Sequence, residues 1–483
     1  MKILHVASEC APFAKTGGLA DVISALPAAQ ALAGDDLRVL LPAYPGTRER
    51  MADAREVLRF SLRDNDYVLI EGHLSTSPVT WWLLECAALF ARPGSPYHDE
   101  QGAPHADNTW RFGCFSEVAA RLALAGVNGW CPDLVHAHDW HAALALAWLG
   151  ETSTRPRTVL TIHNLAYQGC CEWSEFAALG LPPHWWQVEI GEFWGRFSFL
   201  KAGLMRADAV TTVSPTYARE IATPASGCGL DDRLHHCIGI LNGIDTGVWN
   251  PATDAHLTTR YDARTVKAGK AVNKALLQAE FGLPPEPDLL LVGIVSRLSA
   301  QKGIDAVLAA AEGWCSMPLQ IIVLGVGEPG IEQALLQKAA AMPNRLAVKL
   351  GFDERLAHLI EAGADAFLMP SRYEPCGMNQ MYSQRYGTVP LVRRTGGLAD
   401  TVVDASAQAL AEGRATGIGF NDCDAQGVSY ALDRAVELFH GLHWAALQAR
   451  GMAQDFSWSA SAAHYQALYQ GLTASSGLQA TLL

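Results

Sequence analysis

The sequence predicts an α/β protein built from two Rossmann-like, doubly wound domains that face one cleft. Short apolar runs of the parallel-strand type alternate with helix-like segments along the whole chain. The hexapeptide Thr-Gly-Gly-Leu-Ala-Asp occurs twice, at residues 16–21 and 395–400, which indicates two similar domains acting on one ligand. A chain of 483 residues is also too long for one ordinary core. We therefore expect two large domains.

The composition is that of a compact globular enzyme, with 49% hydrophobic and 18% charged residues. The net charge of −13 disfavours nucleic acid as a partner and leaves a neutral polymer or a small anion as the possible ligand. The 11 cysteines include no CxxC pair, which predicts reduced thiols and a cytoplasmic protein. The first apolar run contains His5, so it is a strand and not a signal peptide, and no run reaches the ~18 residues of a membrane helix.

The first βαβ unit places an anion site near the N-terminus. Ile3 to Ala7 and Leu37 to Leu41 read as strands, with a helix from Leu19 to Ala33 between them. Lys15, Gly17 and Gly18 directly precede that helix, so an ammonium group, backbone N–H groups and the positive helix end can converge on an anion. A flexible glycine turn with a solvated lysine is an equally good interpretation of this loop taken alone.

Polar residues follow two further strands, Leu134 to His138 and Thr158 to His163. Asp139 is placed as the N-cap of the next helix, and His163 ends its strand, where open α/β sheets hold their ligands. The triplet His136, His138 and His141 suggests a metal, but strand and helix geometry should separate His141 from the other two, so we expect no metal here. Other predicted elements are a strand over 79–84, a helix over 109–125, a helix over 199–207, a strand over 209–213, a helix from 214 and a strand with a turn over 238–245.

A linker is predicted at Asn250 to Asp254, and the second domain then begins with the strand Leu289 to Ser296. Arg297 and Lys302 follow this strand at a helix start, which again indicates an anion site. Gly325, Gly327 and Gly330 match the Gly-x-Gly-x-x-Gly dinucleotide fingerprint, but the match lies after the second strand of the domain and is weak evidence for NAD. Further strands are predicted at 319–324, 346–350, 366–370 and 389–393, with helices at 354–362 and 458–472.

The segment Ser371-Arg-Tyr-Glu-Pro-Cys-Gly377 follows the apolar run Ala366 to Pro370. It brings a carboxylate, Glu374, and a thiol to the carboxyl end of a strand. With the cations above, this pattern suits a diphosphate attached to a hydroxyl-rich group, which points to sugar-nucleotide chemistry. The chain lacks the Walker Lys-Ser/Thr pair and the Gly-x-Ser-x-Gly elbow.

Six motifs in the expected order resemble those of the bacterial glycogen synthase and plant starch synthase family, over essentially the whole chain. They are Lys15-Thr-Gly-Gly-Leu-Ala-Asp-Val22, His138-Asp-Trp-His141, His163-Asn-Leu-Ala-Tyr-Gln-Gly169, Asn242-Gly-Ile-Asp245, Ser296-Arg-Leu-Ser-Ala-Gln-Lys-Gly303 and Ser371-Arg-Tyr-Glu-Pro-Cys-Gly377.

The resemblance implies a GT-B glycosyltransferase with an N-terminal acceptor-side domain over 1–250, a C-terminal nucleotide-sugar domain over 251–455, and a last helix over 456–483 that returns to the first domain. It implies retaining transfer of glucose from ADP-glucose to the non-reducing end of an α-1,4-glucan such as glycogen, with no metal and no other cofactor. The oligomeric state stays open.

The resemblance also assigns roles to individual residues. Arg297 and Lys302 would hold the diphosphate, Glu374 would contact the sugar or the developing positive charge, His163 would hydrogen-bond the transferred glucose, and Asp139 would orient the site. The remaining expected substrate-binding residues are Lys15, Gly17, Gly18, Asp21, Tyr97, Asn242, Cys376, Gly377, Asn379, Thr395, Gly396 and Gly397. The family usually has Thr where this chain has Asn379. This difference puts in question the geometry of the donor phosphate that the resemblance implies.

Three rival functions stay open at this point. A sucrose- or trehalose-type UDP-glucose transferase would share the fold and the Arg297 and Lys302 pair. A glucan-binding protein without catalysis would need only an aromatic surface such as Trp81, Trp82 and Tyr97. An NAD enzyme would use the glycine fingerprint.

Overall fold

A computed structural model of the protein describes residues 1–480, with side chains through residue 474. The chain divides into two compact units. The first contains Met1–Gly243 together with the C-terminal segment that begins at Trp458, and the second contains Ile244–Ser457. Among the described residues no helix is both long and apolar enough to cross a membrane.

The first unit is built on a mainly parallel sheet. Its nine described strands are ordered β12-β11-β7-β6-β1-β2-β5-β4-β3, with β3 and β4 antiparallel at one edge, and a small second sheet has the order β8-β10-β9. The strands are β1 (Lys2–Val6), β2 (Asp36–Pro42), β3 (Ala52–Leu62), β4 (Asn65–His73), β5 (Thr80–Glu85), β6 (Leu134–His138), β7 (Arg157–Ile162), β8 (Cys170–Cys171), β9 (Glu192–Phe193), β10 (Arg196–Ser198), β11 (Ala209–Thr212) and β12 (Ile238–Gly239).

Helices connect these strands, as parallel pairing requires. They are α1 (Gly18–Leu32), α2 (Ala87–Phe90), α3 (Asn108–Ala125), α4 (Trp140–Leu149), α5 (Trp173–Ala178), α6 (Phe199–Leu204) and α7 (Pro215–Ile221).

The second unit is an open sheet of six parallel strands with the order β15-β14-β13-β16-β17-β18. The strands are β13 (Leu290–Leu298), β14 (Leu319–Gly327), β15 (Leu346–Leu350), β16 (Ala366–Met369), β17 (Val389–Arg393) and β18 (Ile418–Phe420). The helices are α8 (Val266–Glu280), α9 (Ile304–Ala309), α10 (Ala311–Trp314), α11 (Pro329–Ala341), α12 (Glu354–Gly363), α13 (Asn379–Arg385), α14 (Gly396–Thr401), α15 (Ala407–Ala411), α16 (Ala425–Phe439) and α17 (Trp444–Met452).

The last helix, α18 (Trp458–Ala480), belongs to the first unit and packs against α1. Its residues Trp458, Tyr465 and Tyr469 share an apolar core with Val22 and Leu26 of α1. Ser461 donates from its hydroxyl to the backbone oxygen of Leu241. The core of the first unit is therefore completed by residues more than 400 positions from its first strand, as the bounds of β1 and α18 show.

The predicted strands over 134–138, 289–296, 366–370 and 389–393 are confirmed within a few residues. Helix α8 was missed, because its buried side is polar: Lys270 Nζ donates to the backbone oxygens of Glu361 and Ala362 at 3.2 and 3.1 Å. Burial lowers the pKa of Lys270 to about 7. A helix whose buried face carries lysine does not show the apolar periodicity that identifies most helices.

The proposed aromatic surface at Trp81 and Trp82 is wrong. Both residues lie in β5, and their exposed fractions are 0% and 1%. Strands β4 and β5 pair within the sheet, and both faces of β5 are covered, so successive side chains are buried alternately on the two faces. These tryptophans form the core of the first unit and offer no surface for a glucan.

The glycine fingerprint has a packing explanation. Gly325 and Gly327 lie within β14, and a Cβ atom added to them would approach the backbone oxygens of Ser296 and Leu298 to 2.0 and 2.1 Å. Pro329 is the first residue of α11. The glycines allow the ends of β13 and β14 to lie close together, so the motif needs no nucleotide to explain it.

We expect Tyr465→Ala to lower the free energy of unfolding of the first unit by about 3 kcal/mol, because it removes a fully buried ring from the contact between α18 and α1. Gln470→Ala in the same helix changes an exposed side chain and should leave stability within ~0.5 kcal/mol. Urea unfolding followed by tryptophan fluorescence measures both. Equal midpoints for the two variants would show that α18 contributes little to the core.

Candidate functional site

In each sheet, later strands are added first on one side of a central strand and then on its other side. Several predicted site residues follow the strands at this switch point: Asp139 follows β6 in the first unit, and Lys302 and Glu374 follow β13 and β16 in the second. In the first unit, β1 lies between β2 and β6, so the chain runs first to one side of β1 and later to the other. In the second unit, β13 lies between β14 and β16 for the same reason. Loops leave such a pair of strands in opposite directions, and the crevice at their carboxyl ends is where open α/β sheets bind ligands.

Lys302 and Glu374 form an ion pair at the switch point of the second unit. Lys302 Nζ lies 2.5 Å from Glu374 Oε2, and the Ser371 hydroxyl donates to the same oxygen at 3.0 Å. The two charged side chains are 18% and 9% exposed. The sequence places these residues 72 positions apart, and the adjacency of β13 and β16 brings them together.

The second Thr-Gly-Gly turn packs directly beneath this carboxylate. Gly396 has a φ of +45°, and a Cβ atom there would lie 1.9 Å from the backbone oxygen of Glu374. A Cβ on Gly397 would lie 2.2 Å from the oxygen of Cys376, and Gly397 N donates to the Glu374 oxygen at 3.2 Å. Thr395 is buried beside them. These residues therefore support the backbone of Glu374 and Cys376, and the amides of Thr395 and Gly397 are engaged within the protein.

Gly377 and Gly303 allow two further close approaches near Glu374. Gly377 has a φ of +70°, and a Cβ there would lie 3.2 Å from Glu374 Cγ. Gly303 also has a φ of +70°, and its Cβ would lie 2.1 Å from the backbone oxygen of Pro370. Only glycine adopts this conformation readily, so the Lys-Gly pair after β13 is needed to bring Lys302 beside the end of β16.

Arg297 and Asn379 flank the ion pair differently. Arg297 is exposed at the end of β13, and its guanidinium lies 3.3 Å from the side-chain oxygen of Gln301. Asn379 begins α13 and donates from Nδ2 to the backbone oxygen of Val295 at 2.8 Å. This amide therefore ties the start of α13 to β13, a contact that a threonine hydroxyl, on a shorter side chain, is less able to reach.

In the first unit the Lys15 loop is open. Gly17 and Gly18 are exposed, and a Cβ on Gly17 would have nothing within 4 Å. Lys15 Nζ lies 2.6 Å from Asp21 Oδ1, with the lysine side chain 51% exposed. The loop is anchored from below by Glu9, whose Oε2 accepts from Thr16 N at 2.5 Å. Glu9 also accepts from the backbone N–H of Gly17, so the amides of Thr16 and Gly17 are engaged within the protein although the two glycines are exposed.

Asp139 is the N-cap residue of α4, as predicted, but its side chain makes no hydrogen bond to that helix. Asp139 has a φ of +56°, and its Oδ1 accepts from the backbone N–H of His163 at 2.7 Å instead of from α4. The carboxylate therefore joins the carboxyl ends of the neighbouring strands β6 and β7. Burial raises the pKa of Asp139 to about 7. A buried carboxyl group in a strained backbone conformation is a frequent feature of functional sites.

Tyr97 lies at the same sheet edge. Its hydroxyl is 2.6 Å from Ser8 Oγ, just after β1, and its ring stacks on His141 with centroids 4.6 Å apart. Asn242, on the turn after β12, is buried and its Oδ1 has no hydrogen-bond partner in the described part of the chain. Asn242 thus keeps a free acceptor, whereas the Tyr97 hydroxyl already bonds within the protein.

Histidines form a buried cluster that the sequence only partly indicated. His5, His136 and His138 bring one nitrogen each to within 4.8 Å of one another, whereas His141 is not part of this group. His5 was missed because nothing in the sequence pairs it with residues 133 positions away, yet β1 and β6 are neighbours and align His5 with His136. The ring nitrogens of His5 and His138 are all within hydrogen-bond distance of partners in the protein.

Asp139→Asn should change how stability depends on pH. The pKa of Asp139 is about 7 in the folded protein and near 3.8 when unfolded, so the folded state binds more protons between these values. The free energy of unfolding of the wild type therefore falls as pH rises from about 4 to 7. Asn cannot titrate but can still accept from His163 N, so the variant should gain ~1 kcal/mol or more relative to the wild type across that range.

Urea unfolding at a series of pH values measures this difference. Asp64→Asn, which alters an exposed aspartate of the same unit, should follow the wild type. If the Asp139→Asn curve runs parallel to that of the wild type, Asp139 is already ionised throughout the range.

Comparison with known families agrees with this geometry. A family described as "Starch synthase catalytic domain" matches residues 2–236, and one described as "Glycosyl transferases group 1" matches residues 278–437. A glycogen synthase of Aromatoleum aromaticum is 49% identical over 98% of this chain and 97% of its own length. Glycogen synthase 1 of Methylococcus capsulatus is 47% identical over 97% of this chain and 96% of its own.

A solved structure supports the same family assignment. The catalytic domain of starch synthase IV from Arabidopsis thaliana, bound to ADP and acarbose, superposes with a TM-score of 0.87 and 32% identity over 98% of this chain and 99% of its own. Sucrose-phosphate synthase from Thermosynechococcus elongatus shares the fold, with a TM-score of 0.60 and 18% identity over 98% of this chain and 99% of its own. The chain belongs to the glycogen and starch synthase family of GT-B glycosyltransferases.

Proposed function

We propose that the protein transfers glucose from ADP-glucose to the non-reducing end of an α-1,4-glucan, with retention of configuration. The observation that carries this proposal is the Lys302 and Glu374 pair at the switch point of the second unit, in a chain whose relatives are glycogen synthases. A relative with ADP and acarbose bound supports the same donor and acceptor classes.

The cations would act on the leaving group. Cleavage of the bond between glucose and phosphate places negative charge on ADP, so an ammonium group fixed beside the diphosphate stabilises the transition state more than the bound substrate. Lys302 is held in position by Glu374, and Arg297 is exposed at the adjacent strand end. In the first unit, Lys15 and the N-terminal end of α1 would likewise favour an anion.

Glu374 would stabilise positive charge on the sugar without forming a bond to it. Its Oε2 already accepts from Lys302 and Ser371, which lowers the nucleophilicity of that oxygen. We therefore favour displacement on one face of the sugar, in which the leaving phosphate takes the proton of the acceptor hydroxyl. A glucosyl adduct trapped on a protein carboxylate would contradict this step.

The polar groups at the sheet edge of the first unit would bind the glucose. His163 and Asp139 are joined through the backbone N–H of His163, so Asp139 fixes the backbone that carries the imidazole. Tyr97 and Asn242 would add hydrogen bonds to hydroxyl groups, which suits a neutral, polar sugar.

We also propose that the protein works in the cytoplasm. All 11 cysteines are free thiols in the structure, which is typical of proteins in a reducing compartment.

The deciding experiment measures glucose transfer to glycogen from ADP-glucose and, separately, from UDP-glucose, with a chelator present. Transfer from ADP-glucose is the expected result. Preference for UDP-glucose would favour a sucrose- or trehalose-type transferase. Binding of glycogen without transfer from either donor would favour a glucan-binding protein that has no catalytic activity.

We expect Lys302→Ala to lower kcat by ~100-fold or more, because the preorganised charge acts mainly in the transition state. Glycogen affinity, measured by affinity electrophoresis, should stay unchanged. The matched control is Lys267→Ala, which removes the same charge from an exposed lysine of α8. A comparable loss of kcat and of glycogen affinity would mean that Lys302 has a structural role.

Gly396→Ala should lower kcat by ~100-fold, because the added Cβ must displace the backbone of Glu374. Gly330→Ala is the control, since nothing lies within 4 Å of its Cβ and alanine suits its position in α11. Circular dichroism verifies that both variants are folded. Full activity of Gly396→Ala would show that the turn beneath Glu374 can move without consequence.

A further inference from the structure

A continuous series of hydrogen bonds joins His163 to the interior of the first unit. His163 Nε2 lies 3.0 Å from His138 Nδ1, and His138 Nε2 lies 3.0 Å from His5 Nδ1. His5 Nε2 then lies 2.9 Å from Gln30 Oε1 on α1. The rings of His163, His138 and His5 thus form one hydrogen-bonded chain, called the file below, which ends on the amide oxygen of Gln30.

The three imidazoles of this file are neutral. Burial lowers the pKa of His5 to about 4 and that of His163 to about 3, and it lowers the pKa of His138 well below the usual range. A neutral imidazole donates through one nitrogen and accepts through the other. The protonation of each ring is therefore set by its neighbour.

The amide oxygen of Gln30 sets the direction of the whole file, because it can only accept. His5 must then carry its proton on Nε2 and accept at Nδ1, which requires His138 to donate from Nε2 and accept at Nδ1. His163 must in turn donate from Nε2. Its Nδ1 is left with a lone pair, and the described residues provide no hydrogen-bond partner for it.

Helix α18 holds the amide of Gln30 in this orientation. Gln30 Nε2 donates to the hydroxyl of Tyr469 at 3.3 Å, and that hydroxyl lies 2.7 Å from Nδ1 of His136. His136 Nε2 is 2.5 Å from the Thr161 hydroxyl, which lies 2.6 Å from that of Thr211. All these groups are buried. If the amide oxygen and nitrogen of Gln30 exchanged places, the hydrogen bonds on both sides of it would have to reverse their direction.

We infer that Gln30, His5 and His138 are positioning residues that hold His163 in the Nε2-protonated tautomer, so that its Nδ1 accepts a hydrogen bond from a hydroxyl group of the transferred sugar. This inference rests on the proposed function for the identity of that hydroxyl, but the tautomer is a property of the protein alone. It gives a role to a histidine cluster that otherwise resembles a metal site. A metal bound by His5, His136 and His138 would need a ring nitrogen that the file already uses.

The first test reads the tautomers directly in the full-length wild-type protein. Long-range proton and nitrogen correlation NMR on histidine-labelled protein distinguishes protonated from bare ring nitrogens, and His163→Asn assigns the signal. The expected result is a neutral His163 with the proton on Nε2. A proton on Nδ1, an imidazolium, or one equivalent of metal found by plasma emission would overturn the inference. No substrate is needed, so failure of the proposed function would appear separately, as absence of transfer by the wild type.

The second test changes the far end of the file. Gln30→Met has a similar volume but only a weak thioether acceptor, so His5 should move its proton to Nδ1, which reverses the tautomers of His138 and His163. We expect His163 to become protonated at Nδ1 and kcat/KM for ADP-glucose to fall at least ~10-fold, with glycogen affinity unchanged. Leu26→Met, on the same buried face of α1, contacts α18 without a hydrogen bond to the file and should keep both the wild-type tautomer and activity. If Gln30→Met lowers stability as Leu26→Met does but leaves the His163 tautomer unchanged, Gln30 is a structural residue and the inference fails.

Discussion

The adjacency of β13 and β16 is the constraint on which the chemistry of the second unit depends. Because the two strands are parallel neighbours with separate crossover connections, the residues that follow them meet at one edge, and Lys302 reaches Glu374 there. A buried carboxylate needs a partner and hydrogen bonds, and here Lys302 and Ser371 supply both. The glycines at 303, 377, 396 and 397 let the backbone segments around this pair pack closely on one another.

The two identical hexapeptides show that a short motif does not define its own environment. Residues 16–21 expose their glycines before a long helix, whereas residues 395–400 bury theirs beneath Glu374. Their shared sequence reflects a shared position, after a strand and at a helix start, and the packing around them differs. The first turn is held through its own amides by the side chain of Glu9, whereas the second fixes the backbone of Glu374.

The sequence was sufficient for the fold class and most strands, because apolar runs between turn signals are local features. It was insufficient where the fold combines distant residues. Helix α8 was missed because Lys270 lies on its buried face. Asp139 was correctly placed as the N-cap residue of α4, but its side chain bonds to the backbone after β7 instead of to the helix. The cluster of His5 with His138 depends on which strands become neighbours, and the burial of Trp81 depends on both faces of the sheet being covered. Neither can be read from spacing in the chain.

The position of α18 has a consequence for biosynthesis. The first unit contains the N-terminal half of the chain, yet its core includes Tyr465 and Tyr469, and Gln466 donates to Asp35, which also pairs with the N-terminal amino group. As a ribosome releases the chain from its N-terminus, the second unit is complete before these residues emerge. Until then β1 and α1 have an uncovered apolar side. The first unit to be synthesised is thus the last to be finished, and a nascent chain interrupted near residue 450 would present that surface to chaperones and proteases.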